Sequence, residues 1–82
     1  MKGIIRACGS KAITIQTEQY QQFYGPLENI SEDLLKYLDT DILRKTAVLV
    51  TFDVDYSQYS GEIRGKKRYY ANNIKLDDTI II

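Results

Sequence analysis

Hydrophobic and polar positions alternate most cleanly over residues 46–56, TAVLVTFDVDY. Val48, Val50, Phe52 and Val54 fall on one side and Ala47, Leu49, Thr51, Asp53 and Asp55 on the other, the period of two of a strand with one buried face. No Gly or Pro interrupts the run and most of its residues are β-branched or aromatic, so it predicts the central strand. The turn-forming SQYSG after Tyr56 is expected to end it. Upstream, residues 3–8 (GIIRAC) and 12–17 (AITIQT) predict a hairpin closed by Gly9, Ser10 and Lys11. Residues 19–24 (QYQQFY) predict a third strand that stops at Gly25 and Pro26. From Leu27 to Lys45 the period lengthens, and Ile30, Leu34, Leu35, Leu38 and Ile42 could line one side of a helix. The predicted helix covers residues 31–38, with Ser31 as N-cap and Glu32 and Asp33 in its first turn. Asp39, Thr40 and Asp41 then break it, and residues 44–46 lead into the central strand. After Gly61 and Gly65, residues 67–76 (KRYYANNIKL) predict a fifth strand. Tyr70 and Ile74 share one parity and Tyr69 and Ala71 the other, a conflict that a bulge would resolve.

Three strands, a helix and two strands is the order of a single mainly β domain: a five-stranded, OB-fold-like Greek-key barrel with a short helix between strands 3 and 4. The 82 residues suffice to bury roughly 60–65 % of the surface of the unfolded chain. A hydrophobic share of 44 % and a charged share of 27 % exclude a disordered chain. Eleven basic and eleven acidic residues cancel, so any binding of nucleic acid must rest on local clusters rather than on net charge. The chain has no histidine, which removes the commonest general base and transition-metal ligand. No nucleophile–base pair, metal cluster or phosphate loop stands out, so the chain is not expected to be an enzyme or to hold a cofactor or metal. The segment from Asp53 fails as a calcium loop, because Gln58 stands where Gly is required and Arg64 where the bidentate Glu belongs. Cys8 is alone and reads as a small, half-buried hydrophobe. A lone cysteine, the absence of a secretory apolar core in MKGIIRA and the lack of any apolar run of about 20 residues predict a cytoplasmic protein without a membrane span.

Several local features resemble the cold-shock domain, a branch of the OB class. Met1-Lys2-Gly3-Ile4-Ile5-Arg6 is similar to that family's start, and Lys11-Ala12-Ile13-Thr14-Ile15 lies where it has its first ribonucleoprotein motif. Residues 23–30 lie where it has its second, and Ala71-Asn72-Asn73-Ile74 is similar to its closing A-x-N-V. The resemblance spans most of the chain and implies a barrel that binds single-stranded RNA or DNA by stacking bases on exposed rings. By this correspondence Ala7, Ile13 and Ile15 fall on ring sites, and Phe23 or Tyr24 keeps the ring of the second motif.

The basic residues form two clusters. Lys2, Arg6 and Lys11 surround the first hairpin, and Arg64, Lys66, Lys67 and Arg68 lie between strands 4 and 5. In an OB barrel these loops are expected to flank one cleft, where both clusters could contact one phosphate backbone. Tyr24, Tyr59 and Tyr69, with Tyr56 and Tyr70 nearby, are the rings suited to base stacking there. The alternative is a protein–protein module presenting an aliphatic face of Ile13, Ile15 and Leu49 to a partner or a second copy. The apolar end, residues 79–82, is expected to pair as a short extra strand or to pack against another copy.

Overall fold

In the computed structural model, which describes residues 1–82, the first two strands form the expected hairpin. Strand β1 (Lys2–Cys8) pairs antiparallel with β2 (Ala12–Gln16), and the turn closes where the Gly9 N–H donates to Ala12 O at 2.9 Å. The register slips between Ile5 and Ala7, which leaves Arg6 as a bulged, exposed residue. Strand β3 (Gln22–Pro26) follows a turn in which the Thr17 N–H donates to Gln21 O and Tyr20 takes a φ of 62°. This strand begins later than expected and runs through Gly25 and Pro26. Gly25 is required there by crowding, since a Cβ would stand 2.8 Å from Ile13 Cγ1 and 2.8 Å from Ile74 Cδ1. Pro26 is the last strand residue, and the donor it lacks is replaced by the Leu27 N–H, which donates to Lys11 O at 3.1 Å.

The expected helix is present but broken into short pieces. A 3₁₀ turn (Leu27–Asn29) precedes α1 (Glu32–Leu35), and α2 (Thr40–Lys45) occupies the stretch expected to be a break. Asp39 starts α2 by accepting from the Asp41 and Ile42 N–H groups, with Asp41 in the first turn and Arg44 and Lys45 in the last, as the helix dipole favours. Ser31 does stand at the N-cap of α1, yet its hydroxyl makes no capping bond and is buried without a partner. Of the predicted apolar stripe, only Ile30 and Leu34 are buried, and Leu35 is exposed.

The two remaining strands are much longer than the sequence pattern predicts. Strand β4 (Thr46–Ile63) and β5 (Lys66–Ile81) form one long hairpin reversed at Arg64 and Gly65. Both of these residues have positive φ, 54° and 80°, as the favoured two-residue hairpin turn demands. The turn formers after Tyr56 do not end β4. They are absorbed as register slips between Asp55 and Tyr59 and between Tyr59 and Glu62, with Gly61 at φ 87°. The facing conflict in β5 resolves through a bulge. Asn73 has a φ of 49° and the register slips there, so Ala71 and Ile74, three residues apart, both point inward.

The strands close into a barrel in the order β1-β2-β3-β5-β4, with β3 and β5 parallel and β1 returning to β4. This is the OB-like Greek-key barrel with a short helix between strands 3 and 4. Its core holds Ile5, Ile13, Ile15, Phe23, Val48, Val50, Phe52, Ala71 and Ile74, sealed at the helical side by Ile30 and Leu34. Phe23 and Phe52 meet at 5.1 Å between ring centroids. Each large aliphatic side chain fully covered contributes about 1.5–3 kcal/mol of burial. Val48, Val50 and Phe52 face inward as their alternation predicts. The apolar end is the continuation of β5 rather than an extra strand: Thr79, Ile80 and Ile81 pair with Val48, Ala47 and Thr46. Pairing does not bury it, and Ile80, Ile81 and Ile82 stay 53, 86 and 80 % exposed.

Candidate functional site

Beyond the barrel, the β4–β5 hairpin carries its cations alongside the turn between β2 and β3. Arg64, Lys66, Lys67 and Arg68 line a cleft of ≈ 250 Å³ whose other wall is residues 19–22 of that turn. The convergence expected with the first hairpin is therefore made mainly with the β2–β3 turn. The chain has two ion pairs, Lys2–Asp77 at 3.8 Å and Arg44–Asp41 at 4.0 Å. Neither involves a cation of this cleft. Glu62 faces Lys67 across the ladder without closing an ion pair. Like charges lining one cleft repel one another, and an anion entering it would relieve that repulsion.

Next to the cleft, the parallel register of β3 and β5 sets Tyr24 beside Tyr70. Phe23 and Gly25 point into the core, so Tyr24 points out. Its ring lies 4.8 Å from that of Tyr70, and the Arg68 guanidinium lies 5.3 Å from the Tyr24 centroid. Arg68 is fixed in that position by donating to Ser60 O at 3.2 Å and to Ser60 Oγ at 3.3 Å. Lys11 borders the opposite side of the same tyrosine pair, in a hollow it shares with Pro26, Leu27 and Glu28. A strip of two rings flanked by charges thus runs from Lys11 over Tyr24 and Tyr70 to Arg68 and into the cleft.

The second aromatic group lies on the other face of the hairpin, toward which Lys67, at the border of the cleft, turns its ammonium group. Tyr69 shares the inward parity of Ala71 and packs partly against the core. Its ring meets Tyr56 at 5.0 Å and Tyr59 at 6.4 Å, both edge-on. Lys67 sits 4.8 Å over the exposed Tyr59 ring. Such cation–π contacts contribute about 0.5–1 kcal/mol at exposed sites and hold the ring in place. Asp55 pairs in register with Tyr70. The Ser57 hydroxyl and N–H both donate to its carboxylate and hold its pKa below the ordinary value.

The remaining residues singled out from the sequence lie apart from this strip. Lys2 is tied to Asp77 and borders a hollow on the β1–β4 side, separated from the basic cleft by the turn that contributes Gln19 to both. Arg6 is exposed on its bulge in β1. Ile13 and Ile15 are 1 and 0 % exposed. They cannot form the aliphatic contact face expected of them, because the pleat of β2 turns them into the barrel. The outward positions of β2 are Ala12, Thr14 and Gln16, so neither isoleucine occupies an outward ring site and β2 offers no ring. Cys8 is half-buried against the core, with its thiol 3.5 Å from Leu38 O, which matches its reading as a small hydrophobe.

Tyr70 and residues 19–22 join the site only through the non-local β3–β5 pairing and the placement of the β2–β3 turn. Their local sequence carries no period that announces it. No protein-family model, curated protein or solved structure matches the chain.

Proposed function

We propose that the barrel binds single-stranded RNA or DNA along the strip from Lys11 through Tyr24 and Tyr70 to the cleft of Arg64, Lys66, Lys67 and Arg68. The observation that carries this reading is a cleft lined by four cationic residues that form no ion pair, beside the half-buried ring pair of Tyr24 and Tyr70. Cations of this kind serve phosphates, while rings serve bases without regard to sequence. Tyr59, braced by Tyr69 and Tyr56 and capped by Lys67, offers a further stacking surface on the other face of the hairpin. Stacking contributes about 1–3 kcal/mol per base, and the tyrosine pair replaces what β2 lacks. The chain's zero formal charge makes the affinity depend on this local field, so binding is expected to be weak and strongly dependent on salt.

The test is fluorescence anisotropy with labelled single-stranded 12-mers at several salt concentrations. Wild-type protein should lose affinity as salt rises, and replacing Arg64, Lys66 and Lys67 together by Gln should lower the slope of log K against log salt by about 0.7 for each phosphate that is no longer neutralised. A slope unchanged by the triple replacement, or no binding to any strand, would overturn the proposal.

A further inference from the structure

The strip continues past the tyrosines. On β5 the outward residues Arg68, Tyr70 and Asn72 follow one another at two-residue steps of about 6.7 Å, and beyond Tyr70 the chain presents amides in place of rings. Asn29, just ahead of the buried Ile30, donates through Nδ2 to Ala71 O at 3.2 Å and to Asn72 Oδ1 at 2.7 Å. The bond to a backbone carbonyl fixes which end of the Asn29 amide is nitrogen, and that in turn fixes Asn72. Asn29 Oδ1 and Asn72 Nδ2 are left with no partner within the protein. One is an acceptor and the other a donor. Both residues line a polar hollow of ≈ 540 Å³ bordered by Glu28, Asn73 and Lys75, and Glu28 also borders the hollow at the Tyr24–Tyr70 pair. Glu28 and Lys75 together leave this hollow without a net charge, and a free acceptor with a free donor matches a base edge, which carries both, rather than a phosphate, which only accepts.

We infer that Asn29 and Asn72 form a base-reading site for adenine, entered by the nucleotide next to the one stacked on Tyr70. This inference rests on the proposed nucleic-acid binding and adds sequence preference to it. Adenine presents N6–H₂ as donor beside N7 as acceptor, the complement of Asn29 Oδ1 and Asn72 Nδ2. The same edge of guanine presents two acceptors and leaves the asparagine oxygen facing another oxygen.

The test measures the affinity of single strands that differ at one central base: adenine, guanine, 7-deazaadenine or uracil, whose edge does not present an amino donor. The wild-type protein should prefer adenine to guanine by roughly tenfold, and the 7-deaza analogue, which lacks the acceptor, should lose that preference. Asn72→Asp keeps the acceptor used by Asn29 and removes the free donor. The ratio of adenine to guanine affinity should then fall to near one, even if the added charge weakens all strands together. Equal, salt-dependent binding of all four strands would overturn the base-reading site while leaving the binding proposal intact. An adenine preference that survives both changes would assign it to stacking and overturn the inference. Failure of every strand to bind would overturn both. The 7-deaza strand uses unaltered protein, so the inference stays testable even if Asn72→Asp does not fold.

Discussion

Ser31 and Asp39 stand at the N-caps of two short helices and do different work there. The Asp39 carboxylate takes the Asp41 and Ile42 N–H groups, whereas the Ser31 hydroxyl is buried with nothing to bond. Replacing a working cap by Ala costs about 1 kcal/mol, while deleting an unpartnered hydroxyl removes a desolvation cost instead. Thermal melts should therefore show Asp39→Ala lowering stability by about 1 kcal/mol, with Ser31→Ala neutral or stabilising. The reverse order would mean that Ser31 caps α1 in solution. The sequence contains the Asp39 signal, with an acid in the following turn and Arg44 and Lys45 at the end. Ser31 carries the same signal without the bond, because propensity names a capping residue and not the direction its hydroxyl takes. Asn29 and Asn72 lie beyond any local reading, since 43 residues separate the two halves of their contact.

At the scale of elements, the β4–β5 hairpin does two jobs. Its lower part, from Thr46 to Asp55 and from Tyr70 to Ile81, completes the barrel, and its upper part carries the basic cleft. The alternation from Val48 to Phe52 is readable because a strand with one buried face writes its period into the residues. Its continuation to Ile63 is not. Ser57 and Gly61 carry turn chemistry that the structure spends on bulges, and only the pairing with β5 shows which use is made of them. The basic clusters are visible as composition, but the β3–β5 seam that joins Tyr24 to Tyr70 is parallel and non-local, so the ring pair is not. The barrel end of the hairpin gives a direct test. Deleting residues 79–82 removes the ladder over Thr46, Ala47 and Val48 while exposing little new apolar surface from the tail itself. The melting temperature should fall by about 4–8 °C for each kcal/mol of pairing removed, with no change in oligomeric mass. An unchanged melt would show that the ladder contributes nothing, and a lower mass would reveal a second copy on the exposed isoleucines.

Over the whole molecule, opposite charges cancel in number but not in place. Acidic residues gather around the helical segment, with Glu32, Asp33, Asp39 and Asp41 in a short span, and the cations of the hairpin face the β2–β3 turn. A neutral protein arranged in this way attracts an anionic chain to one region and repels it from another. The most direct measurement is a titration of labelled protein with a mixed-sequence single strand, following every backbone amide by NMR. The shifting amides should cluster at residues 19–24 and 64–72 and at Lys11, while those of β1, the first half of β4 and residues 79–82 stay in place. Shifts confined to β1, Leu49 and Ile80, or none at millimolar strand, would contradict it.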